Sequence, residues 1–232
     1  MLVHMPVRSK QLQIEFPRRF GGPQPGAGRP RGPRPRVLHR ERETVKEQPV
    51  HVTFRVRKDI PKLRNRRFFN QFRQSLALCS DRNGFRVIHY SVQHDHVHCI
   101  VEANDKVCLA NGMKSVGARF ARTVNKVFKR QGPVLDGRYH SRVLNTPREV
   151  RNALAYVLLN ARKHFVQCYG KKPSVTRIDP LSSGIWFQGW KGLFNKPPPY
   201  ARETALPQFW LLQKGWRRHR LISIDEVPGC LT

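Results

Sequence analysis

Acidic residues are scarce: 15 Asp plus Glu stand against 44 Lys plus Arg, a formal net charge of +29 in 232 residues. That imbalance excludes a neutral or acidic surface and makes a polyanion the expected partner, because the charge would otherwise only repel itself. Long apolar runs are missing too. Nothing approaches the roughly 20 consecutive apolar residues that span a bilayer, and the first residues lack the apolar stretch of a signal peptide. The expectation is a cytoplasmic protein without a membrane partner. The five cysteines, Cys79, Cys99, Cys108, Cys168 and Cys230, are scattered and include no C-x-x-C pair. A zinc ribbon or a disulfide framework is therefore not expected, and a reducing compartment fits. Apolar residues at 39%, with thirteen Phe, suffice for a real core.

Residues 17–36 are almost entirely Pro, Gly and Arg without an acidic side chain. Proline lacks a donor, glycine raises the entropy of ordering and arginines repel one another, so residues 1–48 read as a basic arm that stays disordered alone. From His51, HVTFRV alternates as a half-buried strand. Pro61 opens a basic amphipathic helix carrying Leu63, Phe68, Phe69, Phe72 and Leu76. After the Asn83-Gly84 break come two extended segments, FRVIHYSVQ and HVHCIVE. A second basic helix spans 107–130, GRYHSRVLN is a short strand, and Thr146-Pro147 opens a trailing helix from about 147 to 165. The order β-α-β-β-α-β predicts an α+β, ferredoxin-like split βαβ fold: a four-stranded antiparallel sheet with helices on one face. Residues 49–170 form that domain, and 171–232, rich in aromatic and basic residues, an extension.

Two local patterns carry chemistry. In His94-Asp95-His96-Val97-His98-Cys99 the strand period of two puts His96 and His98 on one face, where both imidazoles can hold one metal ion. The same pair also suits a solvated edge or a phosphate-facing patch, and His94, on the same parity, is either part of that patch or a third ligand, as in a zinc phosphoesterase using His94, His96 and His98. In ALAYVLLNARKH, Tyr156 and Asn160 lie four apart on one helical face, followed by Arg162, Lys163 and His164. A core tyrosine bonded to a neighbouring amide would give the same spacing. Arg55, Arg57, Lys58, Arg119, Arg122, Lys126, Arg162 and Lys163 are candidate contacts to a nucleic-acid backbone.

Taken together, the H-V-H strand, the Arg138-Tyr139-His140 segment and the helix with Tyr156 and Asn160 resemble the single-tyrosine HUH transposases, most nearly the REP-associated tyrosine transposases. The resemblance runs from about His51 to His164. It implies a divalent ion, Mg²⁺ or Mn²⁺, held by His96, His98 and Asn160, with Tyr156 as nucleophile. It further implies nicking and strand transfer on single-stranded or hairpin DNA through a 5′-phosphotyrosine, in a bacterial, nucleoid-associated enzyme that occurs as monomer or homodimer. The family commonly has Asn at the position of Asp95, Pro at that of Ala161 and Gln at that of Asn160. A basic nucleic-acid-binding protein on the same fold, without catalysis, is the alternative.

Overall fold

The alternation of HVTFR becomes β1 (Lys46–Arg55), which buries Val50, Val52 and Phe54 on one face and turns His51, Thr53 and Arg55 to the other. In this computed structural model, residues 44–173, 177–192 and 200–229 are described, all within the unit spanning 41–232. The arm up to residue 43 and the triple proline 197–199 lie outside them. The first helix starts later than its sequence pattern: α1 (Arg66–Ala77) begins after Asn65, whose side chain accepts from the backbone N–H of Arg67 and Phe68. Asparagine caps a helix better than a proline four residues upstream can open one. Asn83 and Gly84 both have positive φ, 48° and 73°. They make the two-residue turn of a hairpin between a short β2 (Asp81–Arg82) and β3 (Phe85–Val92).

β4 (His96–Asp105) leads into α2 (Lys106–Val127), capped by the Asp105 side chain, and then β5 (His140–Val143) closes the sheet. The strands run β2-β3-β4-β1-β5, every pair antiparallel. The four longer strands have the ferredoxin-like order. The sheet is five-stranded rather than four-stranded because the hairpin adds β2 as an edge.

α1 and α2 cover one face, over a core that includes Phe54, Phe68, Phe72, Tyr90, Val97, Val101 and Phe120. Gly112 of α2 lies so close to β3 that a Cβ there would stand 2.0 Å from the Phe85 ring. The other face is not open to solvent. The trailing segment forms two helices, α3 (Pro147–Leu158), with a Thr146/Glu149 capping box, and α4 (Asn160–Tyr169), separated at Leu159. α3 packs on Ile88 and Ile100 together with Phe187, Trp190, Leu212 and Trp216 of the extension. Glu102, fully buried, accepts from Arg86 Nε (3.0 Å) and from the backbone N–H of Gln208 (2.8 Å) and Phe209 (2.9 Å), tying the extension to the sheet. The extension itself holds α5 (Trp210–Gln213) and two 3-10 turns, Ser183–Trp186 and Gly215–His219. No described helix is long and apolar enough to cross a membrane.

Candidate active site

Val97, Cys99 and Val101 of β4 point into the core beneath α1 and α2, so His96 and His98 necessarily face the opposite side. Their Nε2 atoms are 3.0 Å apart. Two imidazole nitrogens meet at that distance only if one carries a proton or both face a cation. His96 donates Nδ1–H to Asp95 Oδ1 at 2.6 Å, which leaves its Nε2 as the lone pair. His98 Nδ1 is 2.9 Å from Thr53 Oγ1 and 3.2 Å from His51 Nε2, both from β1 across the register Thr53↔His98. Burial, reinforced by the neighbouring His51 and His96, holds the His98 pKa down to about 2, so the ring is neutral. Burial likewise lowers His51 to about 4, with His140 and Arg142 adding to it.

Tyr156, half-buried near the end of α3, sets its ring against this pair: its centroid is 5.1 Å from that of His98 and 5.8 Å from that of His51. Lys163 Nζ stands 4.6 Å from the centre of the Tyr156 ring. His164 faces His96 with ring centroids 6.3 Å apart, and burial, followed by the proximity of His96 and Lys163, lowers its pKa. Asn160 falls midway in sequence between Tyr156 and His164. It is 0% exposed, and neither its Oδ1 nor its Nδ2 has a hydrogen-bond partner among the described residues. A buried amide with both ends unpaired costs free energy unless something else satisfies it.

These features fit a divalent ion. Both histidines have Nδ1 engaged and Nε2 directed at a shared point, and a hydrogen bond on the far ring nitrogen orients a metal-binding imidazole. Their 3.0 Å separation suits neighbouring ligands of one ion held at about 2.1 Å. The orphaned Asn160 oxygen is a hard donor of the type that Mg²⁺ and Mn²⁺ take. Among the described residues no three His, Cys, Asp or Glu side chains converge on one point, so His94, exposed in the turn before β4, does not complete an all-histidine site.

Beside Tyr156 opens a groove of about 1280 Å³, bordered by His51, Arg142, Arg148, Arg151, Arg220 and the segment 226–229. Arg151 forks onto Glu226, with Nη2 to Oε2 at 2.6 Å, and so fixes that segment along α3. Of the basic residues expected at a nucleic-acid surface, Arg55 and Lys163 share the histidine face, Arg55 being exposed opposite His96 in register. Arg57 and Lys58 are exposed in the turn after β1, with Arg57 donating to Asp59 at 3.1 Å. The other four lie elsewhere in the structure. Arg162 is buried, and Arg119, Arg122 and Lys126 ride on α2, which covers the opposite face of the sheet. The sequence pattern missed Arg142, Arg148 and Arg220 of the groove, and also Thr53 and His51. The last two share a strand parity, and that was the one available signal. His140, exposed, pairs with Thr53 in register at the edge of the site.

A family model described as "Transposase IS200 like" matches residues 44–156. No curated protein matches the chain. Among solved structures, the chain is similar to a REP-associated tyrosine transposase bound to a REP hairpin, with 15% identity over 55% of this chain and 74% of that one, at a TM-score of 0.46. It is also similar to a putative transposase from Deinococcus radiodurans R1, with 16% identity over 47% of this chain and 87% of that one, at 0.37. A bacterial tRNA(His) guanylyltransferase-like protein in complex with GTP has 15% identity over 53% and 66%, at 0.39. Through residues 44–156, just under half of its length, the chain is similar to the IS200-like transposase family.

Proposed function

We propose that this protein nicks and rejoins single-stranded or hairpin DNA, with Tyr156 as the nucleophile and residues 49–170 as the catalytic domain. The observation that carries the reading is the Tyr156 ring packed 5.1 Å from His98, whose Nε2 lies 3.0 Å from that of His96. His96, His98 and Asn160 would hold a Mg²⁺ or Mn²⁺ ion. When bound, such an ion supplies Lewis acidity and a fixed seat for a phosphate oxygen.

The remaining work belongs to the chain itself. Asp95 and Thr53 lock the orientation of the two imidazoles, and α3, anchored by Leu154 and Leu158 in the second core, holds Tyr156 on the same side. The attacking oxygen forms a bond to phosphorus while the bond from phosphorus to the 3′ oxygen breaks. Tyrosine gives up its proton and the departing 3′ oxygen gains one, so the energy of the phosphodiester is kept in the tyrosyl ester and no high-energy cofactor is needed. The ammonium of Lys163, 4.6 Å from the ring centre, stabilises negative charge developing on the tyrosine oxygen and the phosphate. Arg142, Arg148 and Arg220 along the groove supply backbone contacts for the strand.

The test is to incubate the full chain with end-labelled single-stranded hairpins and Mn²⁺, and to look for a denaturation-resistant DNA adduct. The expected result is an adduct that is lost with EDTA and in Tyr156→Phe. DNA binding without an adduct, across several hairpins and with both ions, would instead favour a non-catalytic DNA-binding protein.

A further inference from the structure

β3 has one residue more than β4 needs, with the register shifting between Val87 and His89. The irregularity turns two successive side chains, Ile88 and His89, onto the second face of the sheet, where Ile88 joins the core and His89 meets Phe187 edge-on at 5.3 Å. Bulges re-aim side chains in this way and are enriched beside functional sites. His89 is 5% exposed. Its Nδ1 is 3.1 Å from Ser183 Oγ, and its Nε2 has no hydrogen-bond partner among the described residues. Burial and then the Arg202 charge hold its pKa down to about 3, so the ring is neutral, with one donor and one acceptor nitrogen.

This imidazole borders a cavity of about 280 Å³. Trp186, Phe187 and Trp216 give it aromatic walls, while exposed Gln188, Gln213 and Arg217 stand at the mouth. Leu154 of α3 lines the cavity, whereas Ala155 and Tyr156 line the groove, so the helix separates the two. The rim is fixed from below, since Glu102 binds the N–H groups of Gln208 and Phe209. Close to the rim, Trp210 is 46% exposed with the Arg218 guanidinium 4.8 Å from its ring centre.

We propose that this cavity receives one unpaired nucleobase of the DNA strand, at a site distinct from the Tyr156 groove. The proposal rests on the reading that the chain engages single-stranded DNA, and its residues from 186 onward lie beyond the family-matched segment. The volume is at the small end for organic ligands, roughly 300–1,000 Å³, which suits one planar base rather than a longer segment. Half-buried Trp186 offers a stacking face above a floor of buried Phe187 and Trp216, and neutral His89 with two glutamine amides offers the mixture of donors and acceptors found on a base edge. Arg217 at the mouth and Arg202 in the lining match the phosphate of that nucleotide. An acyl chain would leave His89 Nε2 unpaired, and among the described residues no acidic side chain lines the cavity to attract a basic peptide.

The test is fluorescence anisotropy with a short single-stranded oligonucleotide made abasic at each position in turn. It is run on the full chain, on Gln213→Trp, which places an indole in the mouth from an exposed position, on His89→Leu and on Tyr156→Phe. The expected result is one position where loss of the base weakens wild-type binding by about tenfold. In Gln213→Trp and His89→Leu the intact strand should already bind about that much more weakly, with no further abasic penalty, while Tyr156→Phe keeps the penalty. Abasic penalties unchanged by Gln213→Trp would overturn the base site, and adduct formation at Tyr156 would be untouched by that result. A wild-type chain that binds no single strand and forms no adduct would remove both readings.

Discussion

Glu102 is the most consequential buried charge outside the histidine cluster, and its removal has a calculable effect. Its carboxylate is 0% exposed and accepts from Arg86 Nε and from two backbone N–H groups of the extension. The Arg86 side chain is 6% exposed. Glu102→Gln keeps the shape but leaves the guanidinium without a counter-charge, and breaking a buried pair in this way costs about 3–5 kcal/mol. Glu102→Ala also deprives the Gln208 and Phe209 N–H groups of their acceptor. Gln208 is exposed and Phe209 half-buried, so roughly 1 kcal/mol each is added, the low end for an unsatisfied donor. The total of about 5–7 kcal/mol is comparable with the whole stability of many domains, about 5–15 kcal/mol. The double variant Arg86→Met/Glu102→Leu removes both charges and should recover about 3 kcal/mol relative to Glu102→Ala. Urea unfolding followed by tryptophan fluorescence is the assay, because Trp190 and Trp216 sit in the core that the extension shares with α3. A Glu102→Gln chain within about 1 kcal/mol of wild type, or a double variant as unstable as Glu102→Ala, would refute the reasoning.

Three further outcomes follow from the packing and the site. Gly112→Ala, which in an exposed helix would gain about 1 kcal/mol, should instead lose about 1–3 kcal/mol, because the new methyl meets the Phe85 ring at 2.0 Å; an unchanged or raised melting temperature would contradict this. His89 has a folded pKa of about 3 against an ordinary 6.5, so the unfolded chain takes up its proton first as the pH falls. Its stabilisation is therefore complete above about pH 6.5, and at pH 5 about 2 kcal/mol is lost from this residue alone. Urea midpoints that stay level from pH 7.5 to 5 would be inconsistent with that assignment. Thr53→Val removes the hydroxyl that meets His98 Nδ1 at 2.9 Å, and Mn²⁺ affinity measured by calorimetry should drop about 10–100-fold, with His98→Ala abolishing binding and an unaltered Thr53→Val isotherm arguing against the metal assignment.

Much of the architecture was legible because periodicity alone separates strand from helix. HVTFR and HVHCIVE alternate, and the Phe-rich and Val-rich segments recur at helical spacing. The short β2 was not legible, since two polar residues carry no pattern and pair only because the Asn83-Gly84 turn folds them back. The H-x-H pair and the Tyr156 to Asn160 spacing could be read locally. Their neighbours could not, because Thr53 and His51 reach His98 through cross-strand register. The basic row of α2 illustrates what amphipathicity leaves open: it says which side of a helix is buried, not which face of the sheet the helix covers. Two sequence features together did contain the answer. Val97 and Cys99 share one parity and the histidines the other, and right-handed crossovers put α1 and α2 on a common face. The second face, with its bulged His89 and its aromatic cover, depends on contacts between β3 and residues about a hundred positions later, such as His89 with Ser183.

The central claim is a covalent bond between DNA and Tyr156, and the most direct measurement is mass spectrometry of the trypsin-digested adduct formed with single-stranded hairpin DNA and Mn²⁺. The segment NALAYVLLNAR, residues 152–162, contains Tyr156 as its one tyrosine. It should carry the mass of a 5′-linked nucleotide, and a free 3′-hydroxyl should terminate the released strand. Cleaved DNA with no nucleotide on that peptide, or a nucleotide on a different residue, would contradict the assignment of Tyr156 as nucleophile.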